Sequence, residues 1–383
     1  MDYLLTDEQK MARDMARKFS DKELKPIADR LDREHTHSPE VLKALGEMGV
    51  MGVAVPVEYG GGGMDYVSYA LIVAEISRGC GGTGTTVAAH NSLYCYPLLK
   101  FGNEEQKKRY LTPAASGESV GCYALTEADA GSDPAAIRTT ARLDGDTWVI
   151  NGEKKFISNG NFSDYCVFAA STDKSKGYKG ISQFVCDVRE TPGFKVGRVE
   201  EKLGINASGT AELVFEDARV PKENILGEPG AGLRQMLATL DSGRISIASQ
   251  ALGIGRAVLE ESIEYAQART QFGKPISEFQ AIQWKLADMA TQLDAAELLI
   301  WRAAWLEDHG MPFEKEAAMA KMFTSDVAMQ AAIEGVQILG GYGYCKDYPM
   351  ERHMRDVKIT QIYEGTNEIQ RLVIARNLLG KRK

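Results

Sequence analysis

This chain has little that would define it by composition alone, and each shortage excludes something. Its 45 Lys and Arg stand against 53 Asp and Glu, a net charge of -8, so no broad basic face exists to neutralise a nucleic-acid backbone. Any phosphate group must be held by a few local cations. No uninterrupted apolar run approaches the length of a membrane span, and the start MDYLLTDEQK lacks a basic segment followed by an apolar one, so a cytoplasmic protein without membrane insertion is expected. The six cysteines (Cys80, Cys95, Cys122, Cys166, Cys186 and Cys345) are scattered with no metal-ligand spacing; reduced structural thiols and no metal site are expected. No low-complexity stretch interrupts the chain. Its 44% hydrophobic and 26% charged residues describe a globular fold, and 383 residues suffice for two or three domains that can bury a cofactor.

Two glycine clusters invite readings that their context rejects. Gly79, Gly81 and Gly84 have the spacing of a dinucleotide fingerprint, but the preceding SYALIVAEISR reads as helix and no alternating βα units follow. A bend between helices is expected there. Gly60 to Gly63 are not followed by a Lys-Ser or Lys-Thr pair, so no phosphate loop of the ATPase type is present.

The hydrophobic period divides the chain into three blocks. Thr6 and Gln9 have capping-box spacing, and Met11, Met15 and Phe19 then fall four apart on one helical face. Ser38-Pro39-Glu40 starts another helix, with an apolar stripe of Leu42, Leu45 and Met48 ending at Gly49. From about residue 121 the period shortens. Asp144-Gly145 and Asn151-Gly152 are predicted hairpin turns on either side of TWVI, and strands are predicted over 165–170, 181–188, 193–199 and 211–220, in an antiparallel sheet or barrel. Long helical stretches return from Leu233, with stops near Gly310, Gly340 and Gly380. The expected fold is mainly α with a central β domain: an N-terminal helical domain (1–120), a middle β-barrel (121–228) and a C-terminal four-helix bundle (229–383).

Glu364 is the carboxylate with the most suggestive surroundings. It precedes Gly365 and the helix-capping pair Thr366 and Asn367, beside the aromatic bulk of Tyr363. Desolvation there would raise its pKa toward what a general base needs near neutrality. On those residues alone, a surface glutamate stabilised by a helix dipole is the better reading.

Five longer motifs add to this reading: YALTEADAGSD (123–133), KKFISNG (154–160), ARTQFGKPISEFQ (268–280), QILGGYGY (337–344) and IYEGTNEIQR (362–371). Together they resemble the acyl-CoA dehydrogenase family from end to end. NSLYCYPLLKFG (91–102), TLDSGRISIASQALGIG (239–255) and RHMRDVKITQIYEGTNEIQRLVIA (352–375) are most similar to its short-chain, butyryl-type branch. The resemblance implies the same α, β, α domain order and FAD as cofactor. It implies that Leu125 and Thr126 meet the pyrimidine edge of the flavin, that Ser158 lies near its N5, and that Phe156 shields the ring where many members carry tryptophan. It gives Arg269, Gln271, Phe272, Gln280, Gln337 and Gly341 to FAD held by a neighbouring subunit of a homotetramer, with Arg269 on the pyrophosphate. Thr366 and Glu368 would meet the ribose and adenine side. Ser132, Asp241, Arg244, Tyr363 and Gly365 would contact the acyl-CoA, although Asp241 and Arg244 also have the spacing of a local helical pair.

The activity so implied is α,β-dehydrogenation of a short-chain acyl-CoA to the trans-2-enoyl-CoA. Glu364 takes the α-proton, the flavin takes the β-hydride, and electrons pass to an electron-transfer flavoprotein. The Glu364 backbone N–H and a ribityl hydroxyl would stabilise the developing enolate. Some relatives place the base where Gly243 stands here, so no second carboxylate competes with Glu364. An enoyl-CoA reductase, an acyl-CoA oxidase, a dehydrogenase of branched or alicyclic acyl groups and a non-catalytic flavin-bearing scaffold are the alternatives. His90, Asn91, Tyr94 and Cys95 are candidates for the pocket floor, or else polar groups satisfied in helix packing.

Overall fold

The computed structural model describes residues 5–380. Thr6 closes the predicted capping box, accepting from Gln9 N at 3.2 Å while Gln9 Oε1 accepts from Thr6 N at 2.9 Å. It starts helix α1 (Asp7–Phe19), whose buried residues are Gln9, Ala12 and Ala16. Met15 and Phe19 pack partly buried against the core, but Met11 is 72% exposed, so the stripe expected through all three forms only part of the inner face. The small alanines sit inside because they let α1 lie close to its neighbours. Ser38 caps α2 (Pro39–Glu47) as expected. Helix α3 (Tyr66–Gly79) is buried from Val67 onward and meets α4 (Gly81–Ala88) at Cys80, so the glycine cluster is a bend between two helices. The chain continues from α4 into a π-helical turn over Ala89–Cys95.

Eight strands follow: β1 (Gly121–Ala124), β2 (Thr140–Asp144), β3 (Thr147–Ser158), β4 (Tyr165–Ser171), β5 (Ile181–Asp187), β6 (Phe194–Val199), β7 (Thr210–Pro221) and β8 (Ile225–Leu226). The sheet order is β6-β7-β3-β2-β4-β5-β8, with β1 also paired to β4. Most pairs are antiparallel, but β1 and β2 both run parallel to β4, which the expectation of an antiparallel sheet missed. The sheet rolls around one core. Phe168 of β4 lies 5.3 Å from Phe184 of β5 and 4.7 Å from Phe215 of β7, although β7 stands three places from β4 in the sheet.

One predicted turn is not a turn. Asp144-Gly145 does join β2 to β3, but Asn151-Gly152 lies inside β3, where the register with β7 shifts. Gly152 has φ +150°, and a Cβ there would stand 2.4 Å from Thr139 Oγ1, so glycine serves close approach at a bulge. Asn151 and Asp217 exchange two 2.9 Å hydrogen bonds across it.

Helices α5 (Gly232–Ala268), α6 (Gln280–Asp308), α7 (Glu314–Leu339) and α8 (Asn367–Leu379) form the last block. Gly310, Gly340 and Gly380 all have positive φ just beyond helix ends, as predicted. Among the described residues no helix is long and apolar enough to cross a membrane.

Candidate active site

A cavity of about 140 Å³ opens where the three blocks meet. Thr85, Ala89 and Leu93 supply its first wall. They are four apart and so share a helical face. Leu240 and Ile247 supply the second from α5. The β domain supplies Tyr123, Leu125, Thr126, Phe156, Ile157 and Ser158, and the segment before α8 supplies Tyr363, Glu364 and Gly365.

The β wall is shaped by a second irregularity in β3, between Lys154 and Ile157. Phe156 takes φ +60° there and is 63% exposed, so it is not barrel core. The bulge turns the ring out of the sheet beside Thr126 and Ser158. Behind it the fully buried Lys154 donates to Glu127 Oε1 at 2.7 Å and Leu125 O at 3.2 Å. Glu127 also accepts from the amides of Arg138 (2.5 Å) and Thr139 (3.1 Å), and Lys155 N donates to Thr126 O at 2.8 Å. The strand and the loop that reaches exposed Ser132 are therefore tied together one residue from Thr126.

Glu364 adopts φ +53° and Gly365 φ +89°, a tight left-handed turn. For a glutamate this backbone costs about 1–3 kcal/mol and persists only where neighbours enforce it. Gln370 Nε2 donates to Glu364 O at 3.2 Å and Gly365 O at 2.8 Å, and Thr366 caps α8. The carboxylate is buried at Oε2, which has no hydrogen-bond partner among the described residues. Burial pushes its pKa up to about 8, against the opposing charges of Lys321 and Arg244. Directly across stands Gly243, where a Cβ would be 1.9 Å from Glu364 Oε2. The two positions converge on one point. Arg244 is buried and pairs with Asp241 at 2.5 Å, and burial lifts the Asp241 pKa to about 6 with Arg244 opposing. Tyr363 hydrogen-bonds its hydroxyl to Gln250 Oε1, and Gln250 Nε2 donates to Thr85 Oγ1 at 2.7 Å.

Seven anticipated residues thus share the cavity: Leu125, Thr126, Phe156, Ser158, Tyr363, Glu364 and Gly365. Arg269, Gln271, Phe272, Gln280, Gln337 and Gly341 lie elsewhere, exposed on the C-terminal helices and their connections, with Arg269 5.7 Å from the Tyr342 ring. Glu368 faces solvent. The expected floor is not there. His90 is fully buried, with Nδ1 accepting from Gly121 N at 3.0 Å and Nε2 3.1 Å from Ala114 O; burial drives its pKa down to about 4. Asn91 bonds Val53 N and the carbonyls of Val50 and Val87, and Tyr94 donates to Tyr110 O. The residues on the cavity side are Thr85, Ala89 and Leu93; their spacing of four was a signal present in the sequence.

A glutamate with one carboxylate oxygen buried lines a cavity between a β domain and two helical ones, and the family matches make this architecture that of a three-domain flavin-dependent oxidoreductase. Family models for the N-terminal, middle and C-terminal domains of acyl-CoA dehydrogenase match residues 6–118, 122–218 and 230–379. The chain belongs to the acyl-CoA dehydrogenase family. It is 51% identical over 375 residues to the mitochondrial short-chain specific acyl-CoA dehydrogenase of Bos taurus, covering 98% of this chain and 91% of that one. Butyryl-CoA dehydrogenase from Megasphaera elsdenii superposes with a TM-score of 0.97 at 45% identity, over 99% of this chain and 100% of that one. A chain from a structure of the electron transferring flavoprotein of Acidaminococcus fermentans gives a TM-score of 0.98 at 49% identity over the full length of both. Members of the family are FAD-dependent, and the turned-out Phe156 ring between Thr126 and Ser158 fits a flat ring with a polar edge.

Proposed function

We propose that this enzyme oxidises a short-chain acyl-CoA to the trans-2-enoyl-CoA, with Glu364 as the base that removes the α-proton. The observation that carries this is Glu364 on the cavity wall, its buried Oε2 unpartnered among the described residues and lying against Gly243. A carboxylate deprived of water and of hydrogen bonds holds a proton more tightly, which suits it to take one from a weak carbon acid. The Glu364 backbone N–H donates to the thioester oxygen as charge develops there; one such donor is worth roughly 3 kcal/mol in a dry site. Arg244, Asp241 and Ser132 hold the CoA portion. Leu125, Thr126, Phe156 and Ser158 hold the flavin ring, and FAD, when bound, supplies the acceptor for the β-hydride.

A four-carbon acyl group is our reading for a cavity of about 140 Å³ whose Tyr363 and Thr85 walls are braced through Gln250. The likeness to short-chain and butyryl-CoA dehydrogenases points the same way. The electron acceptor is an electron-transfer flavoprotein, in line with the Acidaminococcus fermentans likeness. Arg269, Gln271, Phe272, Gln280, Gln337 and Gly341 reach the FAD of a neighbouring copy in a homotetramer, with Thr366 and Glu368 on the ribose and adenine side. Phe272, 93% exposed with φ +52°, meets only the edge of Phe279 at 6.0 Å among the described aromatic rings, and so large an exposed ring supports a partner surface there.

Anaerobic mixing of the purified holoenzyme with butyryl-CoA and octanoyl-CoA tests the reading. Butyryl-CoA bleaches the flavin quickly and octanoyl-CoA slowly, and Glu364→Gln abolishes both. A Glu364→Gln variant that bleaches at the native rate sinks the assignment.

A further inference from the structure

Lys321 of α7 is fully buried, and its Nζ donates to Gly365 O at 2.8 Å and Asn367 Oδ1 at 2.9 Å. It ends on the turn that carries Glu364. One helical turn further along α7, Ser325 and Asp326 bind Asn367 Nδ2 at 2.9 and 2.8 Å, and Asp326 also accepts from Gln361 at 2.7 Å. The segment from Gln361 to Asn367 is thereby fastened to one face of α7. A buried amine is costly unless charge or hydrogen bonds compensate it. Gly365 O already has a neutral donor in Gln370, so the turn has one anchor that can carry charge and one that cannot.

We propose, resting on the reading of Glu364 as the base, that Lys321 is a positioning residue whose charge sets the proton affinity of Glu364, while Gln370 shares the work of holding the turn. The charged groups packed around Glu364 are few. Arg244 and Asp241 face it from α5, Lys321 and Asp326 belong to α7, Glu368 and Arg371 to α8, and Tyr69, Tyr123 and Tyr363 contribute buried phenols. Of the opposing charges on Glu364, Lys321 is the foremost; burial pulls the Lys321 pKa down to about 7, with Glu364 the foremost charge resisting it. Burial works against both charges, and each of the two is the foremost charge favouring the ionised form of the other.

The test compares native holoenzyme with Lys321→Met, Lys321→Gln and Glu364→Gln. The carboxyl infrared band that disappears in Glu364→Gln is titrated without substrate, and flavin bleaching by butyryl-CoA is followed across pH. Both Lys321 variants should move the band's midpoint up by about one pH unit or more. Bleaching near pH 7 should be about tenfold slower and recover toward the native rate as pH rises, with butyryl-CoA affinity unchanged. An unmoved midpoint in both variants overturns the proposal. So does a shift seen only in Lys321→Met, because Lys321→Gln keeps a donor and lacks only the charge. Failure of both variants to retain fold and flavin also overturns it, leaving a purely structural lysine. If Glu364→Gln still bleaches, the base assignment falls, and the band titration continues to test the coupling on its own.

Discussion

Gly243→Ala is the smallest change that separates chemistry from folding in this site. The new Cβ would lie 1.9 Å from Glu364 Oε2, short of ordinary van der Waals separation by about 1.5 Å. Leu93 Cδ2 would stand 3.2 Å from the same Cβ, so the carboxylate, much the closer of the two, must retreat. A misplacement of about 1 Å from productive geometry can cost about a hundredfold in rate, roughly 2.7 kcal/mol of barrier. Alanine meanwhile favours the interior of α5 by about 1 kcal/mol over glycine, which offsets part of the strain in the fold. Stopped-flow bleaching by butyryl-CoA should therefore fall at least about a hundredfold, while the melting temperature changes little. A variant with near-native bleaching would show that Glu364 does not act from this position. A variant that loses rate only in step with lost fold or flavin would show that the effect is not local.

The pH profile carries its own sign. Only the deprotonated carboxylate accepts a proton, so bleaching should rise about tenfold per unit toward pH 8 and level off above it; a flat profile from about pH 6 to 9 contradicts the base assignment. Glu364 is also an acid whose pKa is raised on folding, so it lowers stability as pH rises from the ordinary carboxylate range to about 8. Glu364→Gln should consequently melt higher than native enzyme at mildly alkaline pH, as thermal scans at two pH values would reveal. Glu127 runs the other way: burial acts to raise its pKa, but the Lys154 ammonium and the Thr139 and Arg138 donors outweigh this and hold it low. Its contribution is complete above the ordinary carboxylate range and is lost as pH falls through the folded value. Glu127→Gln strands the buried Lys154 and should cost about 3–5 kcal/mol in denaturant unfolding, with flavin retention falling in parallel. Unchanged unfolding and flavin content would show that the pair holds nothing in place.

The order of helical and β blocks was legible because the hydrophobic period changes near residue 121 and again near Leu233, and the capping signals at Thr6, Ser38 and Thr366 all mark real helix starts. What failed did so where tertiary packing overrides local pattern. Asn151-Gly152 has turn chemistry, yet pairing with β7 on one side and β2 on the other keeps it in a strand. Met11 fits a helical stripe that the closer-packing alanines displaced. The parallel pairing of β1 and β2 with β4 leaves no trace in short apolar runs. In the site, motif residues such as Thr126, Phe156 and Glu364 line one cavity. Lys321 and Lys154 were invisible because their partners lie 44 and 27 residues away, and a lone lysine in a helix or strand reads as solvated.

The π-helical turn after α4 also governs which side chains face the cavity. An α-helix rotates about 100° per residue, whereas this wider turn lags behind it. Trimming one amino acid from Ala89–Cys95 would advance the downstream face and swing an imidazole or a phenol to where an aliphatic group now stands. A single codon lost in that stretch would therefore turn a greasy lining into a wet one and take His90 away from the Gly121 amide of β1 that it now accepts from.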